Sequence, residues 1–329
     1  MTYRFFTPAP AGAATGLTAD VYRQLRDEFL GPAPTFQALS AVPEVLAATW
    51  ALMREALLAG AASRVDRELV ASAVSRANRC RFCVDAHVML LHALGEHELA
   101  EAIVRGGTPP EPRQAALVGW AEASRSPRAG EWTSPYCPEV TGTLLAFHFI
   151  NRIVSALLAP DLLPGGLQRS RVVRSAGGRL YARTAREPKE PGRSLPLLGT
   201  GPASPPAWAG DSPVGVAYAS LRNAAMRGGD LLGDVARRTV TATVSWEDGR
   251  HPARPAEWAA DLVRDLPGAD RVAARIALLA AFAPSAIRSG DVALWRLSHP
   301  DDADLVRLVA YGAITATDHV ARALSPAQL

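Results

Sequence analysis

A chain of 329 residues with 48% hydrophobic content is long enough to bury two ordinary cores, and its low aromatic content points to a helix-rich globular protein. The net charge of +3 and the pI near 9.0 come from arginines scattered along the chain, without basic blocks or aromatic interleaving, which sets nucleic-acid binding aside. Three cysteines rule out a disulfide scaffold, the longest apolar run (276–283) is too short to span a bilayer, and residues 1–10 lack the apolar stretch of a signal peptide. The expected setting is therefore the cytoplasm, with no membrane contact.

Residues 1–40 are punctuated by Pro8, Pro10, Gly12, Gly31, Pro32 and Pro34 around one short helical piece at 19–29. They read as an N-terminal arm, either wrapped on a neighbouring surface or loosely ordered. Pro43 opens a helix over 44–58, whose Val45, Leu46, Trp50 and Met53 fall near helical spacing. Helices follow over 66–77, 80–94, 96–105, 112–123 and 139–158, giving a domain at 41–160. Residues 161–213 change character. Leu163-Pro164-Gly165-Gly166 and the many prolines and glycines of 188–213 predict a linker or, given Leu195, Leu197, Leu198 and Trp208, an extended strap lying on the surface. The helical pattern resumes over 214–226, 231–244, 255–265, 270–282, 284–297 and 301–324, so the expected fold class is all-α with a second helical domain at 214–329. Trp50, Trp120, Trp246, Trp258 and Trp295 fall on these helices and are expected in the core.

Two of the cysteines form Cys80-Arg81-Phe82-Cys83, with His87 one turn further on and Glu68 on the preceding helix. Spacings of three and four residues put Cys80, Cys83 and His87 on one helix face. Asn78 is the expected N-cap, which places Cys80 in the first turn, where unpaired N–H groups and the helix dipole favour a thiolate. Arg76, Arg79 and Arg81 add positive charge nearby. Two other readings use the same residues. One is a zinc site with Glu68 or Cys137 as fourth ligand, for which a lone Cys-x-x-Cys on a helix is a poor knuckle. The other is a pair of buried structural cysteines, to which the charged Arg79, Arg81 and Asp85 are ill suited. Cys137, in a turn before a helix, reads as an ordinary unpaired cysteine.

The pattern Glu68-x11-Cys80-x-x-Cys83-x3-His87 resembles the core motif of the AhpD-like family (alkylhydroperoxidase D, or carboxymuconolactone decarboxylase). Phe147-His148-Phe149-Ile150-Asn151-Arg152 is similar to the closing core helix of that family, so the resemblance covers about residues 40 to 160. Some peroxidases of the family carry a histidine between the cysteines, where this chain has Phe82. The resemblance implies a helical bundle and a thiol-dependent peroxidase or disulfide oxidoreductase. Cys83 would attack the peroxide and become a sulfenic acid, Cys80 would condense with it, and Glu68, through His87 or a bridging water, would take the thiol proton. A hydroperoxide or disulfide substrate is implied, with an external dithiol reductant such as a thioredoxin-like or dihydrolipoyl protein. No cofactor is expected, and the family's self-packing suggests a homo-oligomer, dimer or trimer. Phe82, His148 and Asn151 are candidates for the pocket, His148 being alternatively a packed helix residue.

Laying Asp270-Arg271-Val272 on Asp66-Arg67-Glu68 gives an ungapped register through the next helix, with Pro284, Ile287 and Asp291 in place of Cys80, Cys83 and His87. The expected architecture is thus an AhpD-like helical bundle in two tandem copies, the second degenerate. Two further functions use the same motif. A cofactor-free carboxymuconolactone-decarboxylase-type enzyme would not need two thiols, and a non-enzymatic redox sensor or scaffold would use the dithiol to alter oligomer contacts.

Overall fold

The computed structural model describes residues 2–29, 31–128, 132–161, 170–199 and 204–324. Among them the chain is all-α, with no β-strand and two isolated bridges, Tyr3 with Leu158 and Ala59 with Lys189. The first half runs α1 (Gly16–Glu28), α2 (Pro34–Gln37), α3 (Pro43–Met53), α4 (Arg64–Ala77), α5 (Arg81–Leu94), α6 (His97–Val104), α7 (Pro112–Ala123) and α8 (Pro138–Leu157). After α9 (Arg171–Arg186) come α10 (Pro213–Met226), α11 (Asp234–Glu247), α12 (Pro255–Leu262), α13 (Gly268–Phe282), α14 (Ser289–Arg296) and α15 (Asp302–Ala323). Proline stands in the first turn of α3, α7, α8, α10 and α12, where its preset φ suits the helix and its missing N–H has no intrahelical acceptor.

One hydrophobic core runs through both halves, from Val21 to Ala321. Helix α4 packs on α5, α7 and α8, while α10 lies on α3 and α15 on α8. Among the described residues α8 alone has the length and hydropathy of a membrane span, and it is buried at the centre of the bundle. Helix α3 passes into a π-helical turn, Arg54–Leu58. There the buried Arg54 bonds Glu28 at 2.8 Å and Glu55 at 2.7 Å. Glu55 in turn accepts from the Gly192 and Ser194 amides and the Ser194 hydroxyl, and Arg54 donates to Glu190 O. These bonds tie segment 189–194 to the surface of the first half.

Three sequence expectations are corrected. The segment between the halves contains a regular element, α9, whose helicity its central Gly177-Gly178 and crowded arginines conceal. A Cβ on Gly178 would lie 2.9 Å from Ala93 N and one on Gly177 2.2 Å from Met89 Cε, so the glycines let α9 close on α5 and packing overrides propensity. The Leu163-Pro164-Gly165-Gly166 turn falls outside the described residues. The helix expected over 284–297 divides into a 3-10 turn, Pro284–Ala286, and α14, because Asp291 caps the Arg288 backbone N–H and starts a new helix. Trp246 is no core residue. It is 72% exposed, at the last turn of α11 on the face turned away from α13 and α15.

Candidate active site

The junction of α4 and α5 sets the site. Helix α4 ends at Ala77, where the sequence placed its end, but α5 starts at Arg81, one residue later than expected. Asn78 N donates to Val74 O and is the C-cap of α4 rather than the N-cap of α5. Arg79 takes the left-handed conformation, φ +58°, and Cys80 N turns back to Ser75 O. Cys80 is itself the N-cap of α5, its carbonyl accepting from Val84 N, and Cys83 lies in the first turn. The first turn of α5 therefore presents a backbone N–H, that of Cys83, and its positive end to the Cys80 sulfur.

Cys80 Sγ and Cys83 Sγ lie 2.8 Å apart, both buried. Two thiolates on one zinc ion, at about 2.3 Å and tetrahedral angles, sit about 3.8 Å apart, so these sulfurs are closer than a zinc ion would hold them, between van der Waals contact and the roughly 2.05 Å of a disulfide. Burial raises both thiols, but at Cys80 the Cys83 thiol, the Ser155 hydroxyl and the Cys83 backbone amide outweigh it, and its pKa falls below the ordinary thiol value. Cys83 is pushed well above it, by burial and by giving its proton to Cys80, with the Asn151 side chain opposing. Of the two thiols, Cys80 is therefore the one that ionises more readily.

One turn further along α5, His87 Nδ1 is 2.6 Å from Glu68 Oε2, and its ring stands edge-on to Phe147 at 4.4 Å. The other Glu68 oxygen takes Arg64 at 2.7 Å. Burial raises the Glu68 carboxyl, but Arg64 and His87 prevail and hold it below its ordinary range, so it is an ionised orienting group for the imidazole. The hydrogen bond of His87 runs to Glu68 and, among the described residues, none runs to sulfur.

Helix α8 supplies the facing wall: Asn151 toward Cys83 and, one turn on, Ser155 toward Cys80. Asn151 Nδ2 also donates to Ser75 Oγ at 2.9 Å, and Asn151 Oδ1 accepts from Asn78 Nδ2 at 3.0 Å. Asn78 Oδ1 accepts from the buried Arg125 at 2.5 Å. Arg125 reaches further to His251 Nδ1 at 3.2 Å and Phe282 O at 3.1 Å. His148 does not line the cavity. It is buried between Ser124, Asn78 and Arg152 and held neutral, burial and the two arginines Arg152 and Arg125 driving its pKa well down. Neither Arg125 nor Arg152 forms an ion pair among the described residues, and burial lowers both, Arg152 to about 10 and Arg125, with Arg152 and Arg79 beside it, well below its ordinary value. Cys137 is exposed at the N-cap of α8, away from this cluster.

A cavity of about 240 Å³ opens onto Cys80, with Phe82, Val154, Leu158 and Pro160 as apolar walls. Arg4 and Ser285 complete it, one from the N-terminal arm and the other from the C-terminal half. Arg4 is fixed by carbonyls of Ser155 and Ala156, at 2.9 and 2.8 Å, and of Ser285 at 3.2 Å. Ser155, Asn78, Arg125 and Arg4 carry no local signal of this role in the sequence, since each reaches the site through tertiary packing. A buried dithiol beside a carboxylate–imidazole pair, on an all-α bundle, defines a dithiol protein of the AhpD-like class, and the chain belongs to the carboxymuconolactone decarboxylase family. The model of that family matches residues 43–123. An alkyl hydroperoxide reductase of Mycobacterium tuberculosis is 35% identical over 323 residues, which cover 95% of this chain and 92% of the relative. The likeness therefore extends through the C-terminal half. No solved structure gives a significant match.

Proposed function

We propose that this chain is a thiol peroxidase that reduces organic hydroperoxides by cycling Cys80 and Cys83 between dithiol and disulfide. The observation that carries the reading is the pair of sulfurs 2.8 Å apart, with one of them, Cys80, on a cavity. The family and the peroxide-reducing name of the relative support it. Cavity access and the lowered thiol favour Cys80 as the attacking sulfur, which exchanges the roles that the family resemblance gives the two cysteines. The Cys80 thiolate displaces alkoxide from the O–O bond and becomes a sulfenic acid. The alkoxide takes the proton that Cys80 gave up on ionising, carried by His87, which Glu68 orients, and leaves as the alcohol, so the Cys83 thiol keeps its own proton for the next step. The Cys83 thiol then attacks the sulfenic sulfur, expels water and closes the disulfide, which requires the sulfurs to approach from 2.8 Å to about 2.05 Å. An external dithiol, thioredoxin-like or dihydrolipoyl, returns both thiols by exchange and leaves as its own disulfide. Such a cycle suits a reducing compartment such as the cytoplasm.

Single Cys→Ser variants and a sulfenic-acid trap test the assignment. Cys83→Ser should accumulate a trapped sulfenate at Cys80 after one turnover, while Cys80→Ser should leave the remaining thiol slow. Sulfenate on Cys83 alone would restore the other order of attack, and no sulfenate in either variant would remove the peroxidase reading. His87→Gln should lower turnover by about a hundredfold with the disulfide still able to form.

A further inference from the structure

Arg79 and Arg81 flank Cys80 in the chain, both are exposed, and both line the Cys80 cavity. Neither guanidinium has a hydrogen-bond or ion-pair partner among the described residues, whereas those of Arg76 and Arg174 nearby are held by Glu122 and Glu101. Arg79 also occupies the left-handed region at φ +58°, a conformation that favours Gly or Asn, and a strained residue of this kind is common where a side chain must be aimed. Among the described residues no acidic side chain lines the cavity. The third arginine there, Arg4, has its donors taken by backbone carbonyls and contributes charge without being free to bind. Two free guanidiniums at the rim of an apolar pocket make an amphiphilic site with a cationic end.

Resting on the peroxidase reading, we infer that the cavity selects a carboxylate-headed aliphatic hydroperoxide, with Arg79 and Arg81 taking the carboxylate and the apolar walls taking the chain. At about 30 Å³ for a water-sized group, 240 Å³ accommodates about eight carbon-sized groups, which suits a medium-length acyl chain. Guanidinium forks match carboxylate geometry, and their field raises the local concentration of anions at low salt.

The site is tested without peroxide chemistry by alkylating reduced protein at Cys80, mapped by mass, with iodoacetate and with neutral iodoacetamide. Removing the arginines alters the Cys80 thiolate for both reagents, so the readout is the ratio of the two rates. In Arg79→Asn/Arg81→Gln, where Asn keeps the left-handed backbone, the iodoacetate-to-iodoacetamide ratio should fall about fivefold or more. In the unaltered protein octanoate should protect Cys80 at lower concentration than octanol, and added salt should erase the difference. An unchanged ratio, or equal protection by octanoate and octanol, overturns the proposal. With hydroperoxides, selectivity for a fatty-acid hydroperoxide over its methyl ester should drop in the double variant, through KM. If neither compound is turned over while the alkylation ratio behaves as expected, the peroxidase reading fails and the anion site stands.

Discussion

At the scale of single residues, the sulfurs are governed by groups that lie far from them in the chain. Arg125 donates to Asn78, Asn78 donates to Asn151, and Asn151 faces Cys83. Each amide passes the polarity on, so the chain presents a positive end to the dithiol from a buried cation that has no carboxylate partner. Arg125→Met should therefore raise the midpoint of the pH profile for alkylation at the cysteine pair by about one unit, and Arg125→Lys should bring it back toward the original. An unmoved profile in Arg125→Met would make Arg125 a packing residue only. Cys80, Cys83, His87 and Glu68 were legible in the sequence because three of them lie within about two turns at the start of one helix and the fourth on the helix before. Asn151 came with its aromatic helix. Asn78 caps the end of α4 and not the start of α5, because the left-handed Arg79 carries the chain on to Cys80 before the next helix begins, and Ser155 gives no signal in the sequence at all.

At the scale of elements, most helices announce themselves through apolar spacing and an opening proline, as in α3, α8 and α10. Helix α9 does not, because two adjacent glycines in an arginine-rich segment look like a break. Its contacts explain it. Gly178 lets the backbone settle onto Met89 and Ala93 of α5, and Arg174 grips Glu101 at 2.7 Å, while Glu101 also takes His92 at 3.0 Å. A helix whose docking depends on missing side chains is sensitive to adding one. Gly178→Leu should destabilise the protein by about 1 to 3 kcal/mol, read as a lower urea midpoint with unchanged slope. A neutral effect would mean that α9 does not bear on α5 in solution. The same logic holds where α15 crosses α13, since a Cβ on Gly312 would stand 2.3 Å from Ala277 O.

At the scale of the whole molecule, the cavity is assembled from three parts of the chain that no local pattern connects. The arm brings Arg4, the first half brings the cysteines and α8, and the second half brings the Pro284–Ile287 turn, whose carbonyls hold Arg4. In the register that lays Asp270 on Asp66, this turn replaces Cys80 through Cys83. The stretch without cysteines thus forms the wall opposite the one that has them, and a single core joins both halves. An all-α protein with two helical stretches was readable from periodicity, whereas their fusion around one cavity was not, because it depends on which faces meet. The chemistry assigned to that cavity has one direct test. Fully reduced protein is given one equivalent of an organic hydroperoxide without added reductant, and its cysteines are mapped by mass. One alcohol released per chain, with a Cys80–Cys83 disulfide and Cys137 untouched, is the predicted result; unconsumed peroxide, or cysteines oxidised to sulfinic acid with no disulfide between them, would contradict it.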